Sequence, residues 1–157
     1  MRISVSDPFG VADDQAMPSL KLALDPGTVQ QHLQRRLLRL AGQHGSVHLR
    51  TIRATRYKPG RRCVIEYEVD VERPGAPPET VVLVGKVRVH RYGKSGYRLL
   101  DAFWNAGFQS DSPDGISVPE PVGTVPKFQM WLQRKVPGRA ATELLAARTD
   151  VALARRI

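Results

Sequence analysis

Apolar residues recur at helical spacing between residues 25 and 46. Asp25 or Thr28 can cap the start of this helix, and Pro26 is tolerated in its first turn. Gly42 is suited to ending it. The pattern therefore predicts one amphipathic helix, whose inward positions are Val29, Leu33, Leu37, Leu40 and Ala41.

From about Val47 the period changes to two, which is typical of β-strands. The clearest strand is Cys63 to Glu72, in which Cys63, Ile65, Tyr67 and the following odd-numbered valines alternate with mostly acidic residues. Pro59 and Gly60 predict a tight turn before it, since both are favoured at the central positions of a turn. Further strands are predicted over 49–57, 81–90, 118–125 and 128–134.

A second helix is predicted over 97–106, with Leu99, Leu100, Phe103 and Trp104 directed inward. The resulting organisation is an extended segment over 1–24, a helix over 25–46, a sheet region over 47–138, and a last helix over 139–157 that is still in progress at Ile157. This order predicts an α+β protein with about five antiparallel strands and helices on one face of the sheet.

The net charge of the chain says more about its partners than its overall composition does. The 157 residues carry 24 Lys and Arg against 15 Asp and Glu, a net charge of +9, and residues 51–100 contribute +6 of it (11 basic against 5 acidic). Such an excess favours a polyanionic partner. One cysteine, Cys63, excludes a disulfide framework and a thiolate zinc site, and the four histidines lack metal-ligand spacing. Without an apolar signal region or a membrane-length run, a cytoplasmic protein with no membrane partner is expected.

Lys86 is the residue that fits its predicted strand least well. Strand geometry places it on one face with Val82 and Val84, and Val64 shares a face with Glu66 in the preceding strand. A lysine among valines is costly unless its ammonium reaches water or an anion. It either holds a phosphate above an apolar slot for a base or protects the end of an edge strand.

Two connections could assist such a site. The turn at Gly60, with Arg61 and Arg62 beside it, could donate backbone N–H groups and charge to a phosphate chain, or be a plain hairpin turn. If it centres on Pro59 and Gly60, Arg53 falls opposite Glu66. The connection after the last strand contains Gln133, Arg134, Lys135 and Val136. Its backbone either forms hydrogen bonds with the edge of a nucleotide base, or it is only a stiff connector. Cys63 is expected to be a buried thiol, and Trp104 and Trp131 are expected in the core.

These motifs occur together in one order: Tyr57-Lys58-Pro59-Gly60-Arg61-Arg62, Val84-Gly85-Lys86-Val87, Trp104-Asn105-Ala106-Gly107-Phe108, Val118-Pro119-Glu120-Pro121 and Val136-Pro137-Gly138. The ordered set resembles the amino-terminal lobe of the aminoglycoside phosphotransferase and choline kinase-like family, which has the protein-kinase-like fold. The resemblance covers roughly residues 20–157.

The resemblance implies ATP and Mg²⁺ as cofactors and transfer of the γ-phosphoryl group to a small-molecule hydroxyl. Lys86 matches the lysine that pairs the α- and β-phosphates. Val84 matches the alanine two places before that lysine. The turn of Gly60, Arg61 and Arg62 matches the loop over the phosphates, and Val64 would cover the base. The hinge whose backbone reads adenine would be Gln133, Arg134, Lys135 and Val136.

The family helix after the lysine strand normally carries a glutamate that orients the lysine. Between Tyr97 and Phe108 the only acid is Asp101. The family's catalytic aspartate and its magnesium ligands belong to a carboxy-terminal lobe whose motifs these residues lack, so no catalytic residue is assigned. The expected partners are a nucleotide and either that lobe or a second copy. The alternatives are a basic module for nucleic acid, which is less favoured because reader motifs are absent, and a pseudokinase-like regulatory domain.

Overall fold

A computed structural model describes residues 2–90 and 94–139 together with Glu143. The protein is α+β, as the sequence predicts. The strands are β1 (Ser4–Ser6), β2 (Ser46–Lys58), β3 (Arg62–Glu72), β4 (Glu79–Arg88), β5 (Pro121–Val125) and β6 (Met130–Arg134). The helices are α1 (Ser19–Ala23), α2 (Pro26–Arg36), α3 (Leu38–Ala41) and α4 (Lys94–Asn105), with 3-10 turns at Val11–Asp13 and Pro126–Phe128.

Within the described residues the strands form one mixed sheet of six, in the order β1-β2-β3-β4-β6-β5. The strands β2 to β6 pair antiparallel and correspond to the five predicted strands. The expectation of an antiparallel sheet of about five strands is corrected by β1, which pairs parallel to β2 through Thr51, Ile52 and Arg53. A strand of three exposed residues is too short to show a period of two. The sequence therefore predicted only extended chain here.

The β2–β3 hairpin centres on Pro59 and Gly60, as predicted. The Arg61 N–H donates to the Lys58 carbonyl at 3.0 Å. Gly60 has φ +62°, a left-handed conformation that most residues with a side chain avoid. This turn sets a register in which Arg53 lies opposite Glu66, and their side chains form the predicted ion pair at 2.7 Å.

The core lies on one face of the sheet, under α1, α2 and α3. The apolar positions of β3 from Cys63 to Val71 are all buried, as are all five inward positions predicted for the first helix. Tyr67 is fully buried, and its hydroxyl donates to the Ala23 carbonyl at 2.9 Å. The other face, which we call the open face, carries half-buried residues of the alternate register, among them Val64, Val84 and Lys86.

The predicted helix over 25–46 divides into α2 and α3 at Leu37, whose φ and ψ of −93° and 38° are not helical. Asp25 is the cap: its carboxylate accepts the Thr28 N–H at 2.7 Å. The side chain of Gln30 also bonds β2, accepting the Leu49 N–H at 2.7 Å and donating to the Val47 carbonyl at 2.6 Å. Gln30 thereby bonds backbone groups on the outer edge of β2 that precede the residues paired with β1.

Two predictions of burial are wrong. The helix α4 has no buried residue, and the side chains of Leu99 and Phe103 are 59% and 42% exposed. Trp104 is half-buried, and Trp131 lies half-buried on the open face rather than in the core. The apolar spacing of α4 is genuine, but its apolar side has little of the sheet to pack against in the described structure. The helix predicted over 139–157 lies outside the described residues, apart from Arg139 and Glu143.

None of the helices in the described part of the chain has the length and apolar character needed to cross a membrane.

Candidate functional site

Lys86 lies on β4, an interior strand between β3 and β6. This position excludes the alternative of a lysine that protects an edge strand. Lys86 pairs with Val64 of β3 on one side and with Trp131 of β6 on the other. The Lys86 ammonium nitrogen, Nζ, lies 4.7 Å from the centroid of the Trp131 ring. The structure therefore brings Val64, Val84 and Lys86 together on the open face.

The Lys86 ammonium lies in a half-buried, cationic environment. Burial lowers its pKa below the ordinary value of 10.5, and the neighbouring charge of Arg88 lowers it further. No carboxylate in residues 2–90 or 94–139 lies within salt-bridge distance of Nζ. A half-buried cation that contacts an aromatic face and has no carboxylate partner is well placed to accept an anion.

A cleft of about 370 Å³ opens beside Lys86 at the turn end of the sheet. It contains five cationic side chains and, among the described residues that line it, no acid. The aliphatic floor comes from Val64 and Val87. The cations in the cleft are Arg56, Lys58, Arg62, Lys86 and Arg88.

The opposite end of the open face is neutralised by ion pairs. Arg50 pairs with Asp70 at 3.0 Å, and Glu66 accepts both Arg53 at 2.7 Å and Lys135 at 2.9 Å. Its two cationic partners hold the pKa of Glu66 below its ordinary value, although burial opposes them as the largest single influence. The cations of the described strands that form no ion pair with described acids are therefore concentrated at the turn end.

Between these two ends lies an apolar strip formed by Val64, Val82 and Val84, bordered by Gln133. Gln133 is largely buried, with 8% of its surface exposed, and no buried side-chain polar atom of the described residues is left without a hydrogen-bond partner. The Lys135 side chain crosses β4 to reach Glu66, because Lys135 follows β6 and its N–H donates to the Val82 carbonyl at 2.8 Å. The strip can hold a flat apolar group once this ion pair moves aside.

The backbone donors of the turn are already used. The Asp14 carboxylate accepts the Gly60 N–H at 2.9 Å and the Tyr57 hydroxyl at 2.7 Å. These two bonds lower the pKa of Asp14, and the bond with Asp14 raises the pKa of Tyr57 to about 12. Of the two interpretations of the turn, these bonds favour the plain hairpin turn, since the Gly60 and Arg61 N–H groups already have partners. Its contribution to the cleft is charge.

Sequence reasoning missed Asp14, whose partners Tyr57 and Gly60 lie 43 and 46 residues away. No periodicity links positions so far apart. The available signal was the Pro- and Gly-containing segment before it, which indicated extended chain but not what it touched.

The predicted hinge is only partly on the open face. Gln133 and Lys135 face it, whereas Arg134 points to the other side of the sheet and pairs with Glu79 at 2.6 Å and Glu120 at 2.8 Å. The Arg134 N–H donates to the Glu120 carbonyl. Val136 is exposed and lines a shallow recess with Val82. Arg134 therefore fixes the connection in place rather than lining the cleft.

The acid of α4 does not reach Lys86. Asp101 pairs instead with Arg39 of α3 at 2.8 Å. Tyr97, one turn earlier on α4, contacts the edge of Trp131, with ring centroids 6.5 Å apart. Lys86 is therefore oriented by the face of Trp131 and, through it, by Tyr97.

The residues present do not fit Mg²⁺. In the part of the chain that the structure describes, no cluster of three His, Cys, Asp or Glu side chains could hold a metal ion. The cleft itself is lined by cations, which repel a divalent ion. Cys63, beneath the cleft, is a buried free thiol whose pKa burial raises to about 12, so it is neither a ligand nor a nucleophile near neutral pH.

Comparison with known proteins gives no relative. No protein-family model matches the chain, and no curated protein or solved structure is significantly similar to it.

Proposed function

We propose that this chain forms the ATP-binding lobe of a phosphotransferase that acts on a small-molecule hydroxyl, in the manner of the aminoglycoside phosphotransferase and choline kinase-like family. The observation that carries the proposal is the position of Lys86. Its ammonium lacks a carboxylate partner in the described structure and lies at the junction of the cationic cleft and the apolar strip. A nucleotide matches these two surfaces, because it has a phosphate chain at one end and a flat base at the other.

The triphosphate would lie in the cleft. Lys86 would contact its inner phosphates, and Arg62 and Arg88 are close enough to the same cleft to neutralise the rest. Charge-assisted bonds from Lys or Arg to phosphate are about twice as strong as neutral hydrogen bonds. The pKa of Lys86 rises when an anion binds, because the anion stabilises the charged form.

The base would lie on the apolar strip between Val64 and Val84. The side-chain amide of Gln133 can both donate and accept, as can the edge of adenine. This placement requires Lys135 to leave Glu66, which is possible because the Lys135 side chain is 46% exposed and can be hydrated.

The kinase-like architecture is part of the proposal. Its support is the order of elements along the chain: a hairpin, a strand with Lys86, the helix α4, and the β5–β6 hairpin that leads into the connection at Gln133. Phosphoryl transfer also needs positioned metal ions and an oriented nucleophile, so the proposal for the described residues is limited to binding and orienting the nucleotide.

The test is a calorimetric titration with ATP of the wild-type chain, Lys86→Met and the control Lys21→Met. Lys21 is an exposed residue of α1 on the other side of the sheet, so the control removes the same charge at a distance. We expect Lys86→Met to weaken ATP binding about tenfold to a hundredfold, as for the loss of a charge-assisted bond. Lys21→Met should bind as the wild type does.

A single-stranded oligonucleotide without ATP, titrated at two salt concentrations, distinguishes the alternative nucleic-acid module. Nucleic-acid binding would be steeply salt-dependent and would be weakened by many of the basic residues to similar extents. Tight oligonucleotide binding with no measurable ATP binding would overturn the nucleotide proposal. So would equal losses of ATP affinity in Lys86→Met and Lys21→Met.

A further inference from the structure

A second cationic recess lies next to the cleft, at the β2–β3 turn. It has a volume of about 210 Å³ and is lined by Lys58, Arg61, Arg62 and Arg88. At about 30 Å³ per water molecule, this volume is on the order of seven waters and can take a phosphate or carboxylate group with part of its hydration.

The recess and the cleft are neighbouring spaces that have three lining side chains in common. Lys58, Arg62 and Arg88 line both spaces, whereas Lys86 lines only the cleft and Arg61 only the recess. Arg62 and Arg88 are directly opposite each other in the β3–β4 register, so their guanidinium groups rise from one row of the sheet. When a phosphate chain in the cleft engages Lys86, Arg62 and Arg88, Arg61 is the lining cation that belongs to the recess alone.

Asp14 lies at this turn, but its carboxylate accepts the Gly60 N–H and the Tyr57 hydroxyl instead of pairing with these cations. None of the described residues that line the recess is acidic, and Lys58, Arg61, Arg62 and Arg88 form no ion pair with the described acids. The acidic positions of β3 are instead at the far end of the sheet, where Glu66 and Asp70 are already paired. Like charges this close repel one another, and an anionic ligand is what relieves that repulsion.

We propose that the recess at Arg61 is a second anion site, which binds a phosphate or carboxylate group of a second ligand while a nucleotide occupies the cleft. The inference rests on the proposed function. It narrows the acceptor class to small molecules that carry their own anionic group beside the hydroxyl. It disfavours polycationic acceptors, because the cations of the cleft and the recess would repel them.

The test uses inorganic pyrophosphate as the probe. The wild-type chain is saturated with ATP, and pyrophosphate is titrated by calorimetry. We expect a second binding event that Arg61→Gln weakens about tenfold or more. Arg35→Gln is the matched control, since Arg35 is an exposed arginine on α2, away from the open face.

The outcomes separate the two proposals. ATP binding without any pyrophosphate binding to the saturated chain overturns the second site and leaves the nucleotide site standing. Arg61-dependent pyrophosphate binding to a chain that does not bind ATP overturns the nucleotide site and supports the anion recess. Equal losses in Arg61→Gln and Arg35→Gln show that the effect is only net charge, which also overturns the second site.

Discussion

The Nζ atom of Lys86 lies 4.7 Å from the centroid of the Trp131 ring, and the two residues are direct neighbours across β4 and β6. The aromatic face stabilises the ammonium without neutralising it. Among the described residues, no carboxylate of α4 reaches Lys86, and Asp101 pairs with Arg39 instead. The Lys86 ammonium thus lies against an aromatic ring and has no carboxylate partner among the described residues.

We expect Lys86→Met to separate binding from stability. The substitution removes a cation–π contact of about 0.5–1 kcal/mol, but it also removes a buried charge and its repulsion with Arg88. The free energy of unfolding should therefore change by less than about 1 kcal/mol while ATP binding falls at least about tenfold. Urea denaturation and calorimetry measure the two quantities. A large loss of stability with unchanged ATP affinity would assign Lys86 a structural role.

We expect Lys135→Met to strengthen ATP binding several-fold. Methionine keeps the apolar part of the side chain, but it cannot form the ion pair with Glu66 that crosses the apolar strip. Inorganic tripolyphosphate has no base, so its affinity should not increase. Arg53→Met is the matched control, because it removes the other partner of Glu66 without uncovering Val84. Competition titrations with both ligands measure the effect, and weaker ATP binding by Lys135→Met would show that this side chain contributes to the site.

We expect Asp14→Asn to loosen the β2–β3 turn. The carboxylate holds both Tyr57 and Gly60, and an amide oxygen accepts these bonds more weakly. The pKa of Tyr57, about 12 in the native chain, should fall toward the ordinary value of 10.0, as an ultraviolet titration against the wild type would measure. An unchanged Tyr57 titration would contradict the contact.

The same contact predicts a dependence of stability on acid. The pKa of Asp14 in the folded chain is below the ordinary value of 3.8, so its stabilising effect is complete above pH 3.8. The effect is lost as the pH falls through the folded pKa. The wild-type chain should therefore lose more thermal stability than Asp14→Asn between neutral pH and the strongly acid range. Parallel melting profiles of the two proteins across that range would count against it.

We expect Gly85→Ala to destabilise the sheet beneath the site. A β-carbon at this position would lie 2.5 Å from the Met130 sulfur and 3.1 Å from the Tyr67 ring, both of which are fully buried. Overpacking of this kind costs about 1–3 kcal/mol. Gly75→Ala is not a suitable control because Gly75 has φ +77°, whereas Gly96→Ala introduces a β-carbon into open space on an exposed helix. Thermal unfolding of both variants checks the difference.

The sheet was predictable because its long strands alternate apolar and polar residues over many positions. In β3 five buried positions alternate with five polar or half-buried ones from Cys63 to Glu72, and the turn residues Pro59 and Gly60 set the register that places Arg53 opposite Glu66. Strand periodicity also placed Val84 and Lys86 on one face. These predictions needed only local geometry.

The rest depended on contacts between distant parts of the chain. Periodicity shows that one side of α4 is apolar but not whether anything covers it, so the burial of Phe103 was predicted wrongly. Trp131 is large and apolar, which favoured the core, but its register places it under Lys86. The hinge prediction treated Arg134 and Lys135 alike, although strand alternation directs them to opposite faces.

The most direct test of nucleotide binding at Lys86 is the fluorescence of Trp131 in a Trp104→Phe chain, which leaves one tryptophan. Because Nζ lies against the Trp131 ring, an anion that draws the ammonium into the cleft must change the surroundings of that ring. We predict a saturable change in Trp131 emission on titration with ATP, and no such change when Lys86→Met is added to the same background. An identical ATP titration curve in the Lys86→Met protein would contradict the assignment of the site.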